Sequence, residues 1–201
     1  MAPSSCIEFA REEQTQLLGI ARSSIAHGLE HQQPGEPNPD AIDGTLAQPF
    51  GNFVTLMLNE VLRGCVGSIE PTHPLANGVA IAAFNAAFRD RRFEPLTHGE
   101  FGDVRIEISV LTAPEPIDAS DNRALLAALR PGEDGLLLED VGYRSTFLPK
   151  VWENIPEPAE FVRQLKLKAG LPANYWSGSL RMSRYRTVSF AESCSTPTAV
   201  D

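Results

Sequence analysis

The stretch FVTLMLNEVLRGCVGS, residues 53–68, holds two apolar runs split by a short polar break, with glycines on both sides of a cysteine. Residues 53–58 are apolar and partly β-branched, and residues 62–68 resume after Asn59, Glu60 and Val61, so the pair reads as an antiparallel hairpin. Loop length decides which side chains share a face. A three-residue loop groups Val54, Leu56 and Leu58 with Leu62, Gly64 and Val66, leaving Phe53, Thr55, Met57, Arg63, Cys65 and Gly67 opposite. A two-residue loop instead sets Arg63 and Cys65 beside Val54, Leu56 and Leu58. The three-residue register separates apolar from polar better and is the one expected. Each glycine weakens the strand, which points to a close approach of the backbone by another segment or a ligand.

Helical and strand patterns surround this hairpin. Leu17, Leu18, Ala21 and Ile25 fall at helical spacing within residues 7–28, with Glu12 and Glu13 in the first turn and Gly28 at the end. Residues 32–43 carry Pro34, Gly35, Pro37 and Pro39 and form a long loop. Residues 74–88 form a second helix, apolar nearly all round in its second half and therefore buried, with Asn85 as a polar exception that needs partners. Residues 104–111 alternate as a strand, with Glu107 on the polar face. Residues 122–129 read as a short helix, and 135–139 with 143–147 as a second hairpin around Val141 and Gly142. Residues 149–154 and 158–169 are helical, and 184–190 form a last strand. No βαβ rhythm and no repeat occurs, so the expected class is α+β with mainly antiparallel sheet flanked by helices.

Composition narrows the function classes. The 201-residue chain has a net charge of −9, which argues against nucleic acid as a partner. Its three cysteines, Cys6, Cys65 and Cys194, cannot all pair within one chain, and free thiols fit a cytoplasmic location. The N-terminal residues lack a signal-peptide pattern, and no apolar run is long enough to span a membrane. His27 and His31 lie four apart but lack a third ligand, so no metal site is expected.

Two positions apart on one strand, Arg63 and Cys65 point the same way, and a guanidinium beside a thiol favours the reactive thiolate. Glu107 would add a carboxylate if its strand shares that face. The alternative is a structural Cys65, since unpaired cysteine is among the most buried residue types. His73, before Pro74, is the imidazole nearest to Cys65 in sequence and would be its base if the chain folds back, or else is a loop or helix-entry residue. Asp90 and Arg92 follow the second helix and would bind a ligand or each other.

The segments also resemble one known family. Residues 62–71 (LRGCVGSIEP) are similar to its "LRGCIG" hallmark, with Val66 in place of isoleucine. Further similarities run through Ala83, Ala86, Ala87, Phe88, Asp90, Arg92, Phe93, Pro95 and Leu96, then residues 106–111, 129–135, 146–152 and 168–172. This is the AMMECR domain family, whose bacterial form is called AmmeMemoRadiSam system protein A. The resemblance implies one domain over residues 7–191, built as two unequal lobes with a cleft near the hallmark, and the termini outside it, 1–6 and 192–201, are expected to be flexible tails. It implies association with a Memo-type protein and a radical-SAM protein in a shared modification pathway. It supplies no reaction, substrate or cofactor. As an enzyme component, the protein would use Cys65 as nucleophile and Glu107 as acid, base or orienting carboxylate. Arg63, Gly64, Gly67, Asp90 and Arg92 would then bind the ligand. As a non-catalytic partner-binding or scaffold subunit, it would keep the glycine-flanked strand for close packing and Cys65 as a structural residue.

Overall fold

The computed structural model describes residues 8–193. The chain divides into two compact units. One takes in the chain up to Leu111 and again from Val188, and the other spans Thr112–Thr187. The α+β class expected from the sequence holds, with each unit built on an antiparallel four-stranded sheet.

In the first unit, helix α1 (Arg11–His31) and helix α2 (Leu75–Phe88) pack on strands β1 (Gly51–Leu58), β2 (Val61–Ser68) and β3 (Val104–Leu111). The sheet order is β2-β1-β3-β8, where β8 is Thr187–Ala191, so β2 is an edge strand. Val54, Leu56, Ile106 and Ile108 are fully buried beneath Leu17, Ala21 and Ile25 of α1 and Leu75, Val79 and Ala83 of α2. The buried length of α2 follows from its nearly continuous apolar sequence.

Helix α1 does not stop at Gly28. It runs to His31 and ends on Gln32 at a left-handed φ of 57°. Gly28 instead admits α2, since a Cβ there would lie 2.5 Å from Phe88 and 2.7 Å from Phe84. Ala10 offers no capping side chain, but its N–H donates to Glu13 Oε2 at 2.8 Å. The proline-rich loop is anchored by Ser24, whose hydroxyl accepts from Gly35 N–H at 3.0 Å and donates to the Ala80 carbonyl at 2.7 Å. Glu192 lies next to Arg22, which ion-pairs with it, and accepts a hydrogen bond from Ile106 N–H at 2.9 Å.

The second unit holds β4 (Glu115–Pro116), α4 (Asn122–Ala128), β5 (Gly135–Asp140), β6 (Tyr143–Phe147), α5 (Pro158–Lys168) and β7 (Arg181–Tyr185). A 3-10 turn over Pro149–Glu153 replaces the helix expected there. Its sheet order is β4-β7-β5-β6. The core centres on Trp152 stacked on Phe161, with centroids 3.8 Å apart, beside Leu136, Leu138 and Leu165. The last strand expected from sequence is in fact two strands in two sheets, β7 and β8, broken at Arg186. Arg186 leaves the ladder because its backbone pairs with Thr112, which donates N–H to the Arg186 carbonyl at 2.9 Å and accepts at its hydroxyl at 2.8 Å.

Candidate functional site around Cys65

The β1–β2 hairpin reaches the expected facing by an unexpected route. Its turn has two residues, Asn59 and Glu60, both left-handed at φ 50° and 61°, and Leu58 pairs with Val61. The ladder then shifts between Leu56 and Met57, where Leu56 faces Gly64 and Met57 faces Leu62, leaving Arg63 as the extra residue of a bulge. Beyond it, Val54 pairs with Val66 and Thr55 with Cys65, as a three-residue loop would have required. Leu62, expected in the core, is 37% exposed because the shift falls after it.

Both glycines accommodate this protein's own chain. A Cβ on Gly64 would lie 2.1 Å from the Ala86 carbonyl oxygen of α2. A Cβ on Gly67 would lie 2.1 Å from the Asn52 carbonyl oxygen and 2.7 Å from the Phe53 ring. Helix backbone therefore rests on strand backbone at Gly64, a contact that any side chain would prevent.

Cys65 turns both its peptide groups off the free edge of the sheet. Its N–H donates to Asp90 Oδ2 at 2.9 Å, and its carbonyl accepts from Arg92 Nη2 at 3.3 Å. Asp90 and Arg92 are locked to each other by a fork, with Nη2–Oδ2 at 2.6 Å and Nε–Oδ1 at 2.9 Å. The Asp90 side chain is only 7% exposed, whereas that of Arg92 is 56% exposed. The hydrogen bond from Arg92 holds the Asp90 carboxyl well below its ordinary range, helped by the Cys65 and Arg92 N–H groups. The same pairing raises the guanidinium pKa of Arg92. This clasp covers an edge that would otherwise invite another strand.

With its peptide groups turned outward, Cys65 forms a non-hydrogen-bonded pair with Thr55, the pairing that brings side chains closest. Thr55 Oγ1 accordingly sits 3.3 Å from the half-buried Sγ. Glu107 pairs with Thr55 from the other side, so Cys65, Thr55 and Glu107 form one row across three strands. Two strand spacings separate the backbones at the row's ends by about 10 Å. Among the described residues, the hydrogen-bond partner of Sγ is Thr55.

Arg63 does not face Cys65 with a free guanidinium. The bulge breaks the alternation on which that expectation rests, and Arg63 forks onto Glu100, with Nε–Oε1 at 2.7 Å and Nη2–Oε2 at 3.2 Å. Glu100 also accepts from the Thr97 N–H and hydroxyl, both at 2.9 Å, and caps the short helix α3 (His98–Phe101). Arg63, then Thr97, draws the Glu100 pKa down to about 2. The sequence reading missed this anchor, although Thr97-x-x-Glu100 is a capping-box signature.

The remaining candidates lie elsewhere. His73 lines a groove with Asn85, described below. The rings of His27 and His31 lie 4.3 Å apart, and among the described residues no group of three or more His, Cys, Asp or Glu is placed to hold a metal ion. Among the same residues no helix is long and apolar enough to cross a membrane. Cys6 and Cys194 fall outside the described residues, as do the whole expected tail 1–6 and residues 194–201 of the other, whereas Glu192, expected in that tail, is held by Arg22 and the Ile106 N–H.

Residues 18–190 match the AMMECR1 family. A Thermofilum pendens protein is 36% identical over 197 residues, covering 90% of each chain. One from Methanothermobacter thermautotrophicus is 35% identical over 192 residues, covering 91% of this chain and 96% of its own. The crystal structure of an uncharacterised Pyrococcus horikoshii protein superposes with a TM-score of 0.81 at 32% identity, covering 88% of this chain and 89% of that one. With the hallmark, the fold and these relatives in agreement, the chain belongs to the AMMECR1 family.

Proposed function

We propose that the protein is a cytoplasmic, non-catalytic binding subunit of a Memo- and radical-SAM-associated modification pathway. The family resemblance supports the pathway, and the free thiol of Cys65 supports a reducing compartment. The Asp90–Arg92 clasp on the Cys65 peptide carries the binding role. It commits to backbone the charged groups that would otherwise serve chemistry at Sγ, while Arg63 is committed to Glu100. A nucleophile needs a base within hydrogen-bond reach, and a threonine hydroxyl is a poor one.

A second reading keeps Cys65 as a thiol nucleophile, and the half-buried Sγ beside a hydroxyl donor favours it. The two readings part on Cys65→Ser. The binding reading expects this variant to restore the metabolite profile of a deletion strain fully, and to bind purified Memo-type and radical-SAM proteins as wild type does. It also expects iodoacetamide below pH 8 to label Cys65 no faster than Cys6 or Cys194. A variant that binds its partners yet fails to restore the profile, with fast labelling of Cys65 in the wild type, establishes the nucleophile instead.

A further inference from the structure

Asn85 is the polar residue within the apolar run of α2, and its side-chain amide has no partner among the described residues. It faces a groove of about 120 Å³ between α2 and the edge strand β2. Asn52 lies in the same groove. It is 6% exposed, with Nδ2 donating to the Phe50 carbonyl at 3.2 Å and Oδ1 lacking a partner. Gly78 fits against it, since a Cβ there would lie 2.6 Å from Nδ2. Asn52 Oδ1 is buried without a partner, which costs stability, and the half-buried Asn85 amide stands beside it with its polar atoms open to the groove.

The strand edge adds further polar groups. Gly67 stands two residues beyond Cys65 on the same ladder, so its N–H and C=O also turn off the sheet. At Cys65 the Asp90–Arg92 fork fills these positions, whereas Gly67 borders the groove. Glu70 and His73 line the groove and no Lys or Arg does, so no fixed positive charge faces the Glu70 carboxylate there, which disfavours an anion. An ammonium would meet the Gly67 N–H donor with donors of its own. The group that answers a paired donor and acceptor is a planar neutral amide. The groove is roomy enough for a small carboxamide head.

We infer that the groove formed by Asn85, Asn52 and the Gly67 edge is a binding site for a small neutral carboxamide. Asn85 pairs with the ligand amide through both its oxygen and its nitrogen. The Gly67 peptide edge takes the ligand's remaining donor or acceptor, and Val66 and Ile81 flank its apolar side.

The test is a titration of the ¹⁵N-labelled full chain with acetamide, followed by amide chemical shifts. Saturable shifts are expected at the Gly67 amide and the Asn85 side chain, with a dissociation constant on the order of millimolar. Acetate and methylammonium should leave them unsaturated. Asn85→Ala should raise the acetamide dissociation constant at least about tenfold. Its melting temperature should be no lower than wild type, because alanine is the better helix former and removes an unpartnered amide. Lost binding in that variant is therefore not unfolding. Non-saturating acetamide shifts, unchanged binding in Asn85→Ala, or equal saturation by acetate or methylammonium would each overturn the assignment.

Discussion

The two hairpins of this chain solve the same problem differently. In the second unit, β5 and β6 pair without interruption from Leu136–Phe147 to Asp140–Tyr143 around Val141 and Gly142, with Gly142 at φ 77°. In the first unit, β1 and β2 also close with a two-residue turn, yet the ladder slips at Arg63 and takes up a bulge. The β5–β6 hairpin closes over side chains of its own core, and nothing forces its register to change. The β1–β2 hairpin must receive the backbone of α2 at Gly64 and turn the Cys65 peptide toward the Asp90–Arg92 clasp. The carboxylates differ likewise. Asp140, at the end of β5, is satisfied by hydroxyls of Tyr175, Ser177 and Ser179 and by the Val141 N–H. Asp90 reaches across from a separate segment to grip strand backbone. A bulge beside a glycine thus marks where tertiary packing dictates strand geometry.

The largest effect that this contrast implies is at Gly64. Gly64→Ala should cost about 3 kcal/mol or abolish folding, because the new methyl meets helix backbone that has no rotamer to escape into. Gly142→Ala should cost only about 1 kcal/mol, through its positive φ in open space. Equal losses in chemical denaturation would break the comparison.

Next is the clasp. Asp90→Asn should lose about 2 kcal/mol at pH 7, since the fork to Arg92 is charge-assisted. The folded-state pKa of Asp90 is depressed below its ordinary 3.8, so its stabilisation is fully present above that value and is lost as pH falls toward the folded value. Wild-type stability should therefore fall on acidification below about pH 4 more steeply than that of Asp90→Asn. Parallel acid limbs in urea titrations would remove Asp90 from the account.

The smallest effect tunes the turn. Glu60 sits at φ 61°, where a two-residue hairpin favours glycine, and its ion pair with Arg105 is exposed at 3.4 Å. Glu60→Gly should gain about 0.5 kcal/mol, read as a melting temperature higher by about 1–2 °C. A loss instead would mean that the bulge, not the turn, sets the register.

Much of the fold was legible in advance because its signals are local. Alternation placed β3, unbroken apolar sequence buried α2, and Val141-Gly142 centred the second hairpin. The facing of Cys65 with Thr55 also followed, since side-chain separation by polarity constrains register, whereas the place of Glu107 in that row came from the pairing of β1 with β3. Other features were not legible. A two-residue turn followed by a bulge leaves the same final facing as a three-residue loop, so polarity cannot distinguish them. The division of residues 181–191 into two strands depends on Thr112, some 70 residues away in sequence.

The linear sequence carries the α+β class, the family and the shared face of Thr55 and Cys65. These rest on periodicity and on motif identity, both properties of neighbouring residues. Tertiary structure decided what those side chains do. Whether Arg63 meets a ligand or Glu100, and whether Gly64 admits a substrate or the Ala86 carbonyl, depends on which distant segment arrives there. Hydrogen bonds and van der Waals contacts act over a few ångströms, and only the folded chain sets those distances.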